Sequence, residues 1–297
     1  MLGKAFESLL PREDVFYASS LTDLRYEKQT NWLFQDSKPE YVIHLAAKVG
    51  GVSYNKSNIA DFYIDNSAIN TNVLNAAKNF GVKKVISLLS TCIYPENGPF
   101  PLKEENIHLG EPHPSNFGYA YAKRMLDVHS RVLREQHGCN FITAVPNNLM
   151  GEHDNFDLEN GHVMAAIIRK IWEAKTLGKI PIFWGSGNPL REFTYTKDIA
   201  RSLLFLLENY DGKDPVNIGN TSEVSIREIV QKVCSLYDYS GPVEWDSAKP
   251  EGIFRKPSCN QKFLDLGWEQ EQWTPFDTAL GNVCSWFSQN YPFIRGV

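Results

Sequence analysis

The sequence predicts an α/β fold, a doubly wound parallel sheet with a smaller C-terminal lobe. Three observations predict it. Short, nearly all-apolar runs recur through the N-terminal half, helical patterns separate them, and the rhythm loosens beyond residue 150. Continuous apolar runs of this length suit strands buried on both faces. Strand, helix, strand in alternation is how a parallel sheet is connected.

Met1-Leu-Gly-Lys-Ala-Phe-Glu-Ser-Leu-Leu10 reads as a helix already under way. In a dinucleotide-binding sheet such a helix follows a strand and a glycine-rich turn whose amides cradle a pyrophosphate. Gly3 fits the last glycine of that turn, and the strand pattern downstream implies a first strand at the sheet centre. The expectation is therefore of a shortened chain. Asp14–Ser20 reads as a strand and about 28–36 as a helix; Tyr41–Ala47 is a nearly all-apolar strand, followed by a helix over about 58–80. Lys84–Ser90 and Phe141–Pro146 repeat the strand pattern around a helix near 119–137. Further on, helices are expected near 162–178, 198–210, 225–238 and 275–290, with strands at Pro181–Gly185, Arg191–Tyr195 and Pro215–Gly219. Residues 1–150 with about 192–222 make one unit; about 151–191 and 223–297 make a substrate-facing lobe.

A chain of 297 residues can bury a large core. Hydrophobic content of 42% beside 22% charged residues is that of an ordinary soluble globular protein. The cysteines, at 92, 139, 234, 259 and 284, are odd in number and lack CxxC spacing. They read as reduced thiols of a cytosolic protein, with neither a disulfide framework nor a metal site. No apolar run is long enough to span a membrane, and the start shows no signal peptide. Net charge of −5 argues against nucleic-acid binding. An anionic small molecule needs only a local basic cluster, and Arg169, Lys170, Arg191, Lys249, Arg255 and Lys256 are candidates, Arg191 foremost because arginine grips phosphate bidentately.

The chemistry concentrates at Tyr119-Ala-Tyr-Ala-Lys123, about thirty residues after a strand-end Ser90. Tyr119 and Lys123, four apart, share a helix face. A free phenol, with a pKa near ~10, is a weak acid at neutral pH, and a nearby ammonium is expected to lower it. Ser90, at the carboxyl end of its strand, stands where open α/β sheets bind ligands and can hold a carbonyl oxygen. Alone, an aromatic and a lysine at helical spacing form a surface pair more often than a site. After a strand-end serine in this fold, the set reads as a carbonyl reductase. An acid after the second strand would mark NAD; Ser19-Ser20 stands there instead, which is friendlier to a 2′-phosphate.

At these residues the chain resembles the extended short-chain dehydrogenase/reductases, and more narrowly the branch of GDP-L-fucose synthases. The stretches that carry the resemblance are His44-Leu-Ala-Ala-Lys-Val-Gly-Gly51, Leu89-Ser-Thr-Cys-Ile-Tyr-Pro95, Asn116-Phe-Gly-Tyr-Ala-Tyr-Ala-Lys-Arg124, Gly151-Glu-His-Asp-Asn-Phe156, Gly161-His-Val163, Trp184-Gly-Ser-Gly187 and Arg191-Glu-Phe193. It runs from Gly3 to the C-terminus. The chain departs from the branch in lacking the first strand and at Pro146-Asn147-Asn148, where threonine usually takes the second place.

The resemblance implies a Rossmann-type, homodimeric, NADPH-dependent enzyme that epimerises C3 and C5 of GDP-4-keto-6-deoxy-D-mannose and then reduces C4. The dimer would meet through the 58–80 and 119–137 helices. Catalytic roles carry over to Ser90, Tyr119 and Lys123 and, as the epimerase base and acid, to Cys92 and His162. If its strand continues, Cys92 points to the same side as Ser90; on its own it reads as a small buried hydrophobe. Cofactor contacts carry over to Gly3, Ser20, Asp23, Leu24, Ala46, Ala47, Pro146, Asn147, Asn148 and Leu149, besides Ser90, Tyr119, Lys123 and His162. Substrate contacts carry over to Lys170, Trp184, Arg191 and Glu251. Two rivals share part of this pattern: another sugar-nucleotide epimerase or dehydratase, and a truncated form acting only as a binding subunit.

Overall fold

The computed structural model describes residues 1–10, 15, 18, 22–249 and 252–297. Most of the expected strand at 14–20, Ser19 and Ser20 among it, and the expected substrate residue Glu251 lie outside the described residues. Ten helices are described: α1 (Leu2–Glu7), α2 (Glu27–Ser37), α3 (Val52–Ser57), α4 (Ile59–Asn79), α5 (Phe117–His137), α6 (Val163–Leu177), α7 (Thr196–Asn209), α8 (Ile226–Leu236), α9 (Gln261–Asp265) and α10 (Phe276–Asn290). The strands are β1 (Tyr41–His44), β2 (Lys84–Leu88), β3 (Phe141–Pro146), β4 (Asn148–Met150), β5 (Ile182–Trp184), β6 (Leu190–Tyr195), β7 (Val216–Ile218), β8 (Glu223–Ser225) and β9 (Glu244–Asp246).

The main sheet runs β1-β2-β3-β7, parallel throughout. All of β3 and all but the last residue of β2 are buried, Lys84, Ser87 and Thr143 included, as in a strand covered on both faces. Leu2, Ala5 and Phe6 of α1 pack with Ile199, Leu203 and Leu206 of α7 on one face, over Ile86 and Ile142. On the other face Val73 and Leu74 of α4 and Leu126 of α5 cover Val85 and Val145. Helices on both faces make the sheet doubly wound, as expected.

Two features hold α5, the helix of the Tyr119/Lys123 pair, against this sheet. The buried Asp127 accepts the Thr143 hydroxyl of β3 at 2.9 Å and pairs with Arg131 at 2.8 Å. At the other end, Gly118 meets the start of α4 so closely that a Cβ there would overlap the Ile59 carbonyl. Glycine is what the crossing requires. The helix stops at Gly138, left-handed, whose N–H bonds the Arg134 carbonyl.

Among the described residues there are two further small sheets: β4-β6-β8, with β8 antiparallel to β6, and the parallel pair β5-β9. Helices α6, α8 and α10 pack around them in a separate core that includes Ile168, Phe193, Val230 and Phe287. Of the segment expected to return to the main sheet, β7 does so beside β3, whereas β6 pairs with β4 and β8. Capping explains where α8 starts: Ser225 accepts the Glu228 N–H at 3.1 Å, and Glu228 accepts the Ser225 N–H at 2.8 Å.

Candidate active site

Strand β2 ends at Leu88, two residues before Ser90. Ser90 is extended, and its hydroxyl caps a single turn of 3-10 helix over Thr91–Ile93 by accepting the Cys92 N–H at 3.5 Å. This corrects the strand-alternation argument for Cys92. A capped turn, not the pleat of a strand, sets its direction, because a serine hydroxyl competes with the ladder for backbone amides.

Tyr119 and Lys123 project from the first turns of α5 onto this turn. The buried Lys123 ammonium donates to the Leu88 carbonyl at 2.7 Å and lies 5.9 Å from the centre of the Tyr119 ring. Burial draws its pKa down to about 8. The expected lowering of the Tyr119 pKa does not occur. Burial pushes that phenol up, and the neighbouring Cys92 pushes the same way. Desolvation of the phenolate outweighs an ammonium that is itself losing solvent. Burial also raises the Cys92 thiol, against the opposing pull of Ser90, Lys256 and Lys123. Ser90, Cys92, Tyr119 and Lys123 thus form one set, closed on a side by the edge contact of Phe62 with Tyr119.

His162 occupies the N-cap position of α6 without a side-chain capping hydrogen bond. Its ring is half-exposed, with Nδ1 3.4 Å from Asp154 Oδ1. The Asp154 contact raises its pKa, which suits a proton donor. Among the described residues no hydrogen bond joins His162 to the set on α5. Asp154 carries a role that sequence spacing did not reveal. So does Asn70, which bridges β1 and α5 by meeting His44 Nε2 at 3.1 Å and donating to the Ala122 carbonyl at 3.2 Å.

A cavity of about 510 Å³ opens beyond β1, lined by Ala47, Lys48, Val49, Gly50, Tyr54, Asn155, Asn160 and Arg295. Its size lies within the range of small-molecule sites, roughly 300–1,000 Å³. It brings the expected Ala47 together with two cations, Lys48 and Arg295, and with two amides, a lining that fits a dinucleotide's diphosphate. Lys48 is tied to Asp65 at 2.8 Å. Arg295, reached through the returning C-terminal segment, had no signal in the sequence.

Other expected cofactor residues are engaged within the protein. Gly3 sits on α1 with open space around it. Asp23 is clamped by Arg25 at 2.6 Å, which holds its carboxyl below the usual range. The Leu24 carbonyl accepts from Thr30 and Asn72. Ala46, partly buried, lies between β1 and the cavity. Pro146 ends β3 opposite Ile218, and Leu149 packs into the core beside it. Asn148 donates to the Glu192 carbonyl at 2.7 Å. Asn147 is buried; its side chain accepts from Thr194 at 2.6 Å and donates to Asn220 at 2.8 Å. It presses on Gly219, whose φ of 139° and lack of a Cβ make the room.

On the small sheets, Trp184 is 53% exposed, which sets it apart from a core tryptophan. Lys249 lies 5.7 Å from its ring centre. Arg191 is half-buried and bonds the carbonyls of Leu190 at 2.7 Å and Phe254 at 3.4 Å. Lys170 donates to the Ile182 carbonyl at 2.6 Å and lies over Phe183. Of the other cations, Arg255 is spent on Glu223 and Arg169 on Glu173, both surface or structural pairs.

The chain matches the NAD dependent epimerase/dehydratase family over residues 8–219. It is 38% identical to the GDP-L-fucose synthase of Dictyostelium discoideum over 303 residues, covering 99% of this chain and 94% of that protein. It is 32% identical to the GDP-L-colitose synthase of Yersinia pseudotuberculosis, covering 96% of this chain and 91% of the relative. A GDP-L-fucose synthetase from Naegleria fowleri, solved bound to NADP, superposes with a TM-score of 0.93 at 38% identity, over 99% of this chain and 91% of its own.

Proposed function

The chain belongs to the NAD dependent epimerase/dehydratase family, and from that premise we propose that it converts GDP-4-keto-6-deoxy-D-mannose to GDP-L-fucose by 3,5-epimerisation and NADPH-dependent 4-reduction. The observation that carries this reading is the convergence of Cys92, Ser90, Tyr119 and Lys123 on one turn and one helix face. A reductase alone has no use for the thiol.

The C4 ketone acidifies the protons at C3 and C5. Cys92 removes one from one face of the sugar, and His162, whose protonated form Asp154 favours, returns one from the other. NADPH, when bound, supplies the hydride for C4. Tyr119 donates its phenolic proton to the C4 oxygen, which Ser90 holds; a raised phenol keeps that proton in place until the oxygen becomes basic. Lys123 fixes the tyrosine's surroundings from the Leu88 carbonyl. The cavity at Ala47–Gly50, with Lys48 and Arg295, would hold the cofactor diphosphate. Arg191 and Lys170 would take the GDP diphosphate, and Trp184 would offer its exposed ring.

The same reading divides the chain into a cofactor unit, 1–150 with about 192–222, and a substrate lobe, and places it in the cytosol, with its five free cysteines as support. It makes the protein a homodimer. Ile59, Tyr63 and Ile64 of α4, with Phe117, Met125 and Val132 of α5, are exposed on the two helices that would meet a second copy. The test is incubation with GDP-4-keto-6-deoxy-D-mannose and NADPH in deuterated water. Deuterium at C3 and C5 with NADPH consumption is expected; NADPH consumption without exchange would reduce the enzyme to a 4-reductase.

A further inference from the structure

The turn that carries Cys92 is wrapped by cations from two sides. From α5, Lys123 donates to the Leu88 carbonyl and the Arg124 Nε to the Ile93 carbonyl, each at 2.7 Å. From the opposite side comes Lys256, whose ammonium donates to the Thr91 carbonyl, also at 2.7 Å. Thr91 and Ile93 flank Cys92, which brings Lys256 and Arg124 beside it, and Lys123 reaches towards it from the end of β2. Each interacts with it electrostatically, and among the described residues the phenol of Tyr119 is the other titratable neighbour. Lys256 also faces Arg191.

Lys123 serves the tyrosine, and Arg124 lies over the Tyr121 ring. Lys256 has neither duty, yet its mounting is elaborate for a lysine, a residue that normally projects into solvent. The buried Glu192 carboxylate accepts the Ser258 N–H at 2.9 Å and the Ser258 hydroxyl at 2.5 Å. On the facing side, the Pro257 carbonyl accepts the Leu102 N–H at 2.8 Å, and the Cys259 N–H donates to the Leu102 carbonyl at 2.9 Å. Asn217 donates to the Cys259 carbonyl at 2.9 Å. The three residues after Lys256 are therefore fastened to two separate parts of the fold, which points the lysine at the turn.

We propose that Lys256 is the counter-ion of the Cys92 thiolate and that the Glu192–Ser258 clasp is its positioning device. A buried thiol resists ionisation because a thiolate loses its hydration, and a fixed ammonium restores part of that loss. The ammonium meets the same resistance, so the two charges support one another and ionise as a pair. Lys256 acts through Cys92 and touches no reacting atom in this role. The catalytic meaning of the pair rests on Cys92 being the epimerase base; the pairing itself does not.

The test is a titration of thiolate ultraviolet absorbance in the full chain without substrate, with Cys92→Ser subtracted as the baseline. Lys256→Met is expected to raise the Cys92 midpoint by about one pH unit or more. Lys256→Arg should leave it near its original place, and Ser258→Ala, which loosens the clasp and keeps the lysine, should raise it by a smaller step. An unmoved midpoint in Lys256→Met overturns the pairing. If Lys256→Met does not fold, an unmoved midpoint in folded Ser258→Ala overturns it instead. Deuterium exchange at C3 and C5 is then read on the same variants. A raised midpoint with unchanged exchange leaves the pairing standing and removes Cys92 from the epimerase step.

Discussion

The main sheet and the two small sheets mount their functional groups in opposite ways. Tyr119 and Lys123 leave a 21-residue helix pinned to β3 through Asp127, and Lys123 is buried. Trp184 leaves a three-residue strand and is half-exposed, and Arg191 leans on carbonyls of its own strand and of a loop. On the proposed roles, the contrast follows from what each region must do. Proton transfer demands donors held within a fraction of an ångström. Gripping a diphosphate tolerates longer, adaptable arms. Mutations should therefore cost turnover in the first region and affinity in the second.

The sharpest break comes from the two halves of the turn-and-helix set. Tyr119→Phe should lower NADPH consumption by roughly 10²–10⁴-fold while exchange at C3 and C5 persists. Cys92→Ser should do the converse, abolishing exchange while an already epimerised 4-keto sugar is still reduced. Equal loss of both activities in either variant would collapse the distinction between the steps. A smaller effect is expected in the second region. Arg191→Ala removes a charged hydrogen-bond donor, worth about 1.5–3 kcal/mol, so KM for the GDP sugar should rise roughly 10–150-fold with little change in NADPH affinity. A fall in kcat instead would move Arg191 into the first class.

The smallest effect sits between the regions, at His162. Its pKa is raised in the folded state by Asp154, so the protonated form is favoured by folding. The resulting stabilisation is full below the ordinary histidine range, near ~6.5, and is lost as pH rises through the raised value. Asp154→Asn should therefore make the high-pH fall in exchange begin at lower pH. It should also bring the His162 proton resonance to a lower titration midpoint; an unchanged midpoint would remove Asp154 from this role.

The same contrast explains what the sequence could show. Helix α5 and strand β3 were legible because apolar periodicity over six to twenty-one residues leaves little choice. The end of β2 was not. Leu89 keeps the apolar run going, whereas the Ser90 hydroxyl has already turned the chain. The direction of the Tyr119 shift was missed because spacing reports the ammonium four residues away and says nothing of burial. Glu192 could not be placed at all, since its partner Ser258 lies 66 residues further along the chain. Asn147, a departure from the usual threonine, is knotted into Thr194, Asn220 and the bare backbone of Gly219, all far from it in sequence.

The contact between Gly118 and the Ile59 carbonyl has a consequence for how this chain can change. The residue beside Tyr119 is constrained by the helix across from it, through a spacing that admits no side chain. Libraries built on the first turn of α5 will lose every member altered at 118 to helix separation, whatever substrate is under selection. Tyr121, one helical turn on and only partly buried, is held by softer contacts, the edge of Phe117 at 4.8 Å and the guanidinium of Arg124. Catalytic aim in this protein is thus inherited from a vacancy, and a vacancy can only be kept or filled.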